Sequence, residues 1–127
     1  MADVNRGNRP LSPHLDVYKF EWTMIGSITH RITGVAMSVA AALIAWWLLA
    51  AATSPEMFAT ADALLTSWFG NLVLLGSLLA LSYHILNGLR HLAWDAGYGL
   101  DLPTAAKSAR GVMIGAVALT ALVVALV

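Results

Sequence analysis

The sequence predicts an all-α integral membrane protein of three transmembrane helices, with the N-terminus cytoplasmic and the C-terminus periplasmic. Three observations predict it. The first is composition: 59% of the 127 residues are hydrophobic and 11% are charged, against about 25% charged in a typical soluble domain. A chain this short buries a smaller share of its area than a large one and needs many polar groups to face water. Seven Lys/Arg and seven Asp/Glu cannot supply them. The second observation is three long uncharged stretches, and the third is the placement of the basic residues beside them. The formal net charge of zero also argues against nucleic acid as a partner, since no basic surplus exists. With no cysteine, disulfides, thiolate catalysis and Cys-ligated zinc or iron–sulfur clusters are excluded from this chain.

The chain reads as a single transmembrane anchor domain over 1–127. Residues 1–21 form a polar segment, expected in the cytoplasm. It lacks the apolar core and small-residue cleavage site of a secretory signal. With three acidic residues against three basic ones up to Trp22, it does not resemble a transit peptide either. The first helix is expected at 22–52, since no charged side chain occurs from Ile32 to Thr53. The second is expected at 63–92, where Ala63 to Leu89 is interrupted only by His84. The third is expected at 105–127, with Ala105 to Arg110 as its first turn. Each meets the length of about 20 residues that a span requires. The 52–66 segment, carrying Pro55, Glu56 and Asp62, reads as a loop.

Orientation follows from the charges. Arg6, Arg9, Lys19 and Arg31 precede or open the first helix, and Arg90, Lys107 and Arg110 bracket the loop between the second and third. The 52–66 loop has neither Lys nor Arg. The positive-inside rule places the N-terminus and the 93–104 loop in the cytoplasm. Trp22, Trp94 and Tyr98 would belt the inner interface, and Trp46, Trp47 and Trp68 the outer one. Gly34, Ser38 and Ala42, and Gly111 with Gly115, form small-residue stripes. These suit packing against a partner membrane subunit, or reflect only the richness of the chain in Ala and Gly.

All four histidines, His14, His30, His84 and His91, lie on the basic side. On the first helix, Ser27, His30, Arg31 and Gly34 share an arc of roughly 100°. A hydroxyl, an imidazole and a guanidinium there could bind an anionic or carbonyl-bearing ligand; the plainer alternative is an arginine snorkelling to headgroups. On the second helix His84, Gly88, His91 and Asp95 fall within about 60°, and Gly76 and Ala80 extend the stripe. His84 lies roughly 9 Å deeper than Arg90. An ionisable group at that depth is costly and marks a functional site by default, the alternative being a helix–helix hydrogen bond. Neutral imidazole is a haem-iron ligand, and a low-spin haem needs two. Neither His30, beside Arg31, nor His91, on the same helix, is well placed across a haem from His84, so the second ligand is expected from another chain. His30 and Arg31 would suit haem propionates. His91 and Asp95 lie at the membrane edge, where solvated or interface roles compete with ligation.

RPLSPHLDVY at 9–18 followed by SITHRITG at 27–34 resembles the N-terminal signature of the cytochrome b556 subunits of succinate dehydrogenase, the larger membrane anchors of respiratory complex II. HILNGLRHLAWDAG at 84–97 resembles the second signature of that family. The resemblance implies that the chain belongs to a bundle with a second anchor subunit, and that His84 is an axial ligand of haem b shared with that subunit. It implies that His30 and Arg31 lie near the propionates, and that Ser27 and Arg31 form part of the ubiquinone site. His91 and Asp95 would support the site from its mouth. A flavoprotein subunit and an iron–sulfur subunit would carry succinate oxidation, leaving no catalytic residue for that step on this chain. The segment before the first helix points to a bacterial inner membrane ahead of a mitochondrial one. The alternatives are a fumarate reductase anchor, whose two-haem form needs more buried histidines, and a purely structural anchor without haem.

Overall fold

A computed structural model describes residues 18–127; the first signature up to residue 17, and His14 within it, lie outside the described residues. Four helices follow one another: α1 (Trp22–Thr53), α2 (Pro55–Leu65), α3 (Trp68–Asp95) and α4 (Leu102–Leu126). Three of them, α1, α3 and α4, are long and apolar enough to cross a membrane. At 1.5 Å per residue even the 25-residue α4 exceeds the ~30 Å hydrocarbon core.

The helix boundaries have local causes, and several differ from the sequence expectation; α3, for one, runs three residues past the expected end at 92. α1 ends at Thr53 because Ser54 is extended (φ −156°, ψ 131°), the conformation favoured before a proline. Pro55 then opens α2, an 11-residue helix in the segment expected to be a loop. Ser54 Oγ caps it by accepting from Met57 N–H at 3.3 Å, and proline at the first helical position sacrifices no intrahelical bond. Ser54 also donates to Glu56 Oε2 at 2.6 Å, which holds that carboxyl below the usual carboxylate range. Trp47 Nε1 donates to Asp62 Oδ1 at 3.3 Å and fastens α2 against the end of α1.

α3 starts at Trp68, five residues later than expected, because Ser67 is extended and its hydroxyl accepts from Gly70 N–H at 3.0 Å. Gly70 is required there: a Cβ would collide with the carbonyls of Leu64 and Leu65. The link to α4 turns through Gly97 (φ 85°) and Gly99 (φ 71°), a left-handed region that glycine enters without steric penalty. α4 begins three residues earlier than expected because Asp101 caps it, accepting from Thr104 N–H at 3.0 Å, with Pro103 in its first turn.

α3 is the central helix, packed on α1, α2 and α4. The buried apolar residues are mainly alanines: Ala50, Ala61, Ala80, Ala105, Ala109 and Ala116. Small residues let helix backbones approach, which drives association in lipid where apolar burial gives little. The large side chains point outward; Ile32, Val35, Leu72, Leu89, Ile114 and Val117 are exposed. Among the described residues α1 is the least buried of the three spans, so it offers most of its surface to lipid or to a partner. Of the small-residue stripes, Gly34 faces His84 and Gly115 faces Leu86, whereas a Cβ at Gly76, Gly88 or Gly111 would meet nothing within 4 Å among the described residues.

Candidate functional site

Three histidines gather where α1 passes α3. His84, six residues above Arg90, turns its ring toward α1 and stacks on His30 with centroids 3.8 Å apart and planes 17° from parallel. His91 lies 5.0 Å from His30 and meets Trp94 edge-on at 5.2 Å. The ring of His84 reaches α1 this closely because residue 34 is glycine: a Cβ there would lie 3.2 Å from His84 Cε1. Thr33 Oγ1 stands 3.2 Å from His84 Nδ1 and donates to the carbonyl of His30 at 3.0 Å. Among the described residues the ring of His84 makes no other hydrogen bond, and Nδ1 of His30 and Nδ2 of Asn87 are buried without a partner.

The arrangement suits a haem on chemical grounds. One imidazole has a fixed ring, one nitrogen engaged and the other without a partner, which is how protein metal ligands are prepared. The stacked rings of His30 and His84 leave no room for a metal ion between them. Among the described residues no three His, Cys, Asp or Glu side chains converge into a self-contained metal site. The buried, unpartnered Nδ1 of His30 is a donor that an anionic oxygen would satisfy.

The other expected residues are placed differently. Arg31 is exposed on α1 and Ser27 is half-buried; neither has a side-chain hydrogen bond among the described residues. Asp95, the last residue of α3, is exposed. The structure therefore brings His30, His84 and His91 together and leaves Ser27, Arg31 and Asp95 uncommitted around them.

Two features were missed in the sequence. Thr33 is one; it lies roughly 60° from His30 around the helix, just beyond the polar arc. The other is a second polar face on α3. Tyr83, Asn87 and Arg90 follow i, i+4, i+7 spacing and are all buried. Tyr83 Oη donates to Gly26 O at 2.8 Å. Arg90, expected to mark the membrane edge, instead turns inward. It donates through Nε to Ser108 Oγ (2.8 Å), through Nη2 to Ala105 O (2.8 Å) and through Nη1 to Asn87 Oδ1 (3.3 Å). Its guanidinium also stacks 3.9 Å from the Trp94 ring. The i, i+4, i+7 spacing was the available signal; reading Arg90 only as an interfacial charge concealed it.

Known proteins share this sequence over nearly its whole length. A family model for the succinate dehydrogenase/fumarate reductase transmembrane subunit matches residues 5–124. The chain is 56% identical over 122 residues to the succinate dehydrogenase cytochrome b556 subunit of Paracoccus denitrificans, spanning 96% of this chain and 94% of that one. It is 35% identical over 114 residues to the corresponding b556 subunit of Rickettsia conorii, spanning 90% and 89%. A third relative is the mitochondrial succinate dehydrogenase cytochrome b560 subunit of Sus scrofa, 38% identical over 112 residues, or 84% of this chain and 64% of that one. Three spanning helices, a histidine cluster at one end and a match over residues 5–124 agree: the chain belongs to the succinate dehydrogenase/fumarate reductase transmembrane-subunit family.

Proposed function

We propose that this chain is the cytochrome b membrane anchor of a bacterial inner-membrane succinate:ubiquinone oxidoreductase, N-terminus cytoplasmic, holding haem b jointly with a second anchor subunit. The observation that carries the reading is His84, whose ring is engaged at Nδ1 by Thr33 and makes no other hydrogen bond among the described residues. In lipid, an imidazole nitrogen without a partner is expensive, and a metal ligand bond accounts for it. His84 would ligate the haem iron, and His30 and Arg31 would hold the propionates by charge-assisted hydrogen bonds. Haem b, when bound, supplies a one-electron centre beside the quinone site.

Ser27 and Arg31 would form this chain's half of the ubiquinone site. Arg31 is exposed on α1 and free to reach a bound quinone; its guanidinium would stabilise the negative charge that develops on a quinone oxygen during reduction. Ser27, one turn away on the same arc, would orient the ring by a hydrogen bond. His91 and Asp95 would line the mouth on the proton-supplying side. Succinate oxidation would belong to a flavoprotein subunit, with an iron–sulfur subunit passing electrons to the membrane.

Purification in mild detergent tests this reading. It predicts a complex containing a flavoprotein, an iron–sulfur protein and a second small membrane chain, with a low-spin b-type reduced-minus-oxidised spectrum. A stable lone chain without haem would leave a purely structural anchor in its place.

A further inference from the structure

We infer that Thr33 is a positioning residue for haem: its hydroxyl fixes the tautomer of His84 and raises the basicity of the nitrogen left for iron. The inference rests on the reading of His84 as the axial ligand. It begins with the hydroxyl itself, which has one hydrogen to give and two lone pairs to accept with. Thr33 Oγ1 lies 3.0 Å from the carbonyl of His30, three residues back, the standing acceptor for a threonine hydroxyl within a helix. With its hydrogen committed there, the oxygen can only accept from Nδ1 of His84, 3.2 Å away. A neutral imidazole has a single N–H. If Nδ1 holds it, Nε2 holds the lone pair that iron requires.

Two neighbours make this geometry rigid. Gly34 lets the ring lie flat against α1, where a Cβ would stand 3.2 Å from Cε1; a side chain there would lever the ring off Thr33. His30, whose carbonyl receives the Thr33 hydrogen, also stacks on the His84 ring at 3.8 Å. One turn of α1 therefore sets the depth, plane and tautomer of an imidazole carried on α3. Hydrogen-bond partners of this kind orient metal-ligating histidines and raise their basicity, and losing one typically weakens metal binding by roughly 10–100-fold. A more basic imidazole favours ferric over ferrous iron, so loss of the acceptor should raise the reduction potential.

The test is a redox titration of the haem, with haem content per complex, in the intact detergent-purified complex carrying Thr33→Val, Thr33→Ser or His84→Ala. Thr33→Val preserves shape and removes the acceptor. A tenfold fall in the ferric-to-ferrous affinity ratio would read as a rise of about 59 mV for a one-electron couple. Thr33→Ser keeps the hydroxyl and should titrate as the unsubstituted protein does. Loss of haem from Thr33→Val with retention in Thr33→Ser would equally support the inference. An unchanged or lower potential in Thr33→Val would overturn it, as would the same shift or loss in Thr33→Ser, which would mark a packing role. If Thr33→Val does not assemble, Thr33→Ala is read by the same criteria. His84→Ala separates the two levels: survival of the low-spin spectrum in that variant removes His84 as ligand, whereas its loss beside an unaltered Thr33→Val removes only the role of Thr33.

Discussion

α3 carries two polar faces on the same turns, and they end differently. On one, Tyr83 and Arg90 deliver hydrogen bonds to backbone carbonyls, Gly26 O on α1 and Ala105 O on α4. On the other, His84 and His91 meet side chains of α1, and a ring nitrogen of His84 remains without a partner among the described residues. The first face is a lock between helices: Tyr83 and Arg90 bond groups on α1 and α4, although Nδ2 of Asn87 is buried without a partner among the described residues. The second is a socket, since its bonds orient a ring without using all of it. In a membrane each unsatisfied polar group costs several kcal/mol; of the groups left open, the imidazole nitrogens are the ones able to hold a haem.

Four substitutions would break or sharpen that contrast. The largest effect is expected beside the socket. Arg31→Ala should lower quinone reduction on the order of 10²-fold, the usual consequence of losing a donor to developing negative charge. Succinate oxidation with a soluble artificial acceptor should persist; equal loss of both activities would make Arg31 an assembly residue. Next is the lock. Arg90→Ala removes three side-chain hydrogen bonds and a stacked ring, and should cost about 2–4 kcal/mol. Thermal unfolding of the purified complex would detect it, with the haem band unshifted in the folded fraction. A shifted band would mean that the two faces are coupled.

Gly34→Ala should act more weakly and on the socket alone. The new Cβ meets His84 Cε1 at 3.2 Å, and the helix propensity gained partly offsets the crowding, for a net loss of roughly 1 kcal/mol. The absorption spectrum of the haem should shift, and an unaltered spectrum would show that the ring does not rest on α1 when the complex is assembled. The smallest effect lies outside both faces. The Asp101 carboxyl is held below its usual range chiefly by the Thr104 backbone N–H. A depressed carboxylate stabilises the fold above its unfolded pKa and loses that contribution as pH falls through the folded value. The amide protection of the first turn of α4, relative to the intrinsic exchange rate, should therefore fall below the ordinary carboxylate range, and Asp101→Asn should remove that pH dependence.

Much of this was legible in the residues. Charge-free stretches gave three spans because lipid imposes a length and a polarity that no other environment does. His84 stood out as an ionisable group at depth. Boundaries were less legible, because they depend on caps. Ser54, Ser67 and Asp101 each start a helix by accepting a backbone N–H, and hydropathy does not register such bonds. α2 escaped notice because an 11-residue segment of mixed polarity between two spans has no membrane signal. Thr33 and Arg90 were missed for a different reason. Their roles depend on which neighbour each helix face meets, and a single helix's periodicity does not contain that information.

The decisive measurement is the low-spin ferric haem signal of the intact complex, recorded in parallel for His30→Ala, His84→Ala and His91→Ala. If the socket is built as argued, the signal disappears only in His84→Ala, while the other two retain an axially ligated haem with altered potential. A low-spin signal surviving in His84→Ala would contradict the account, whatever the other two variants show.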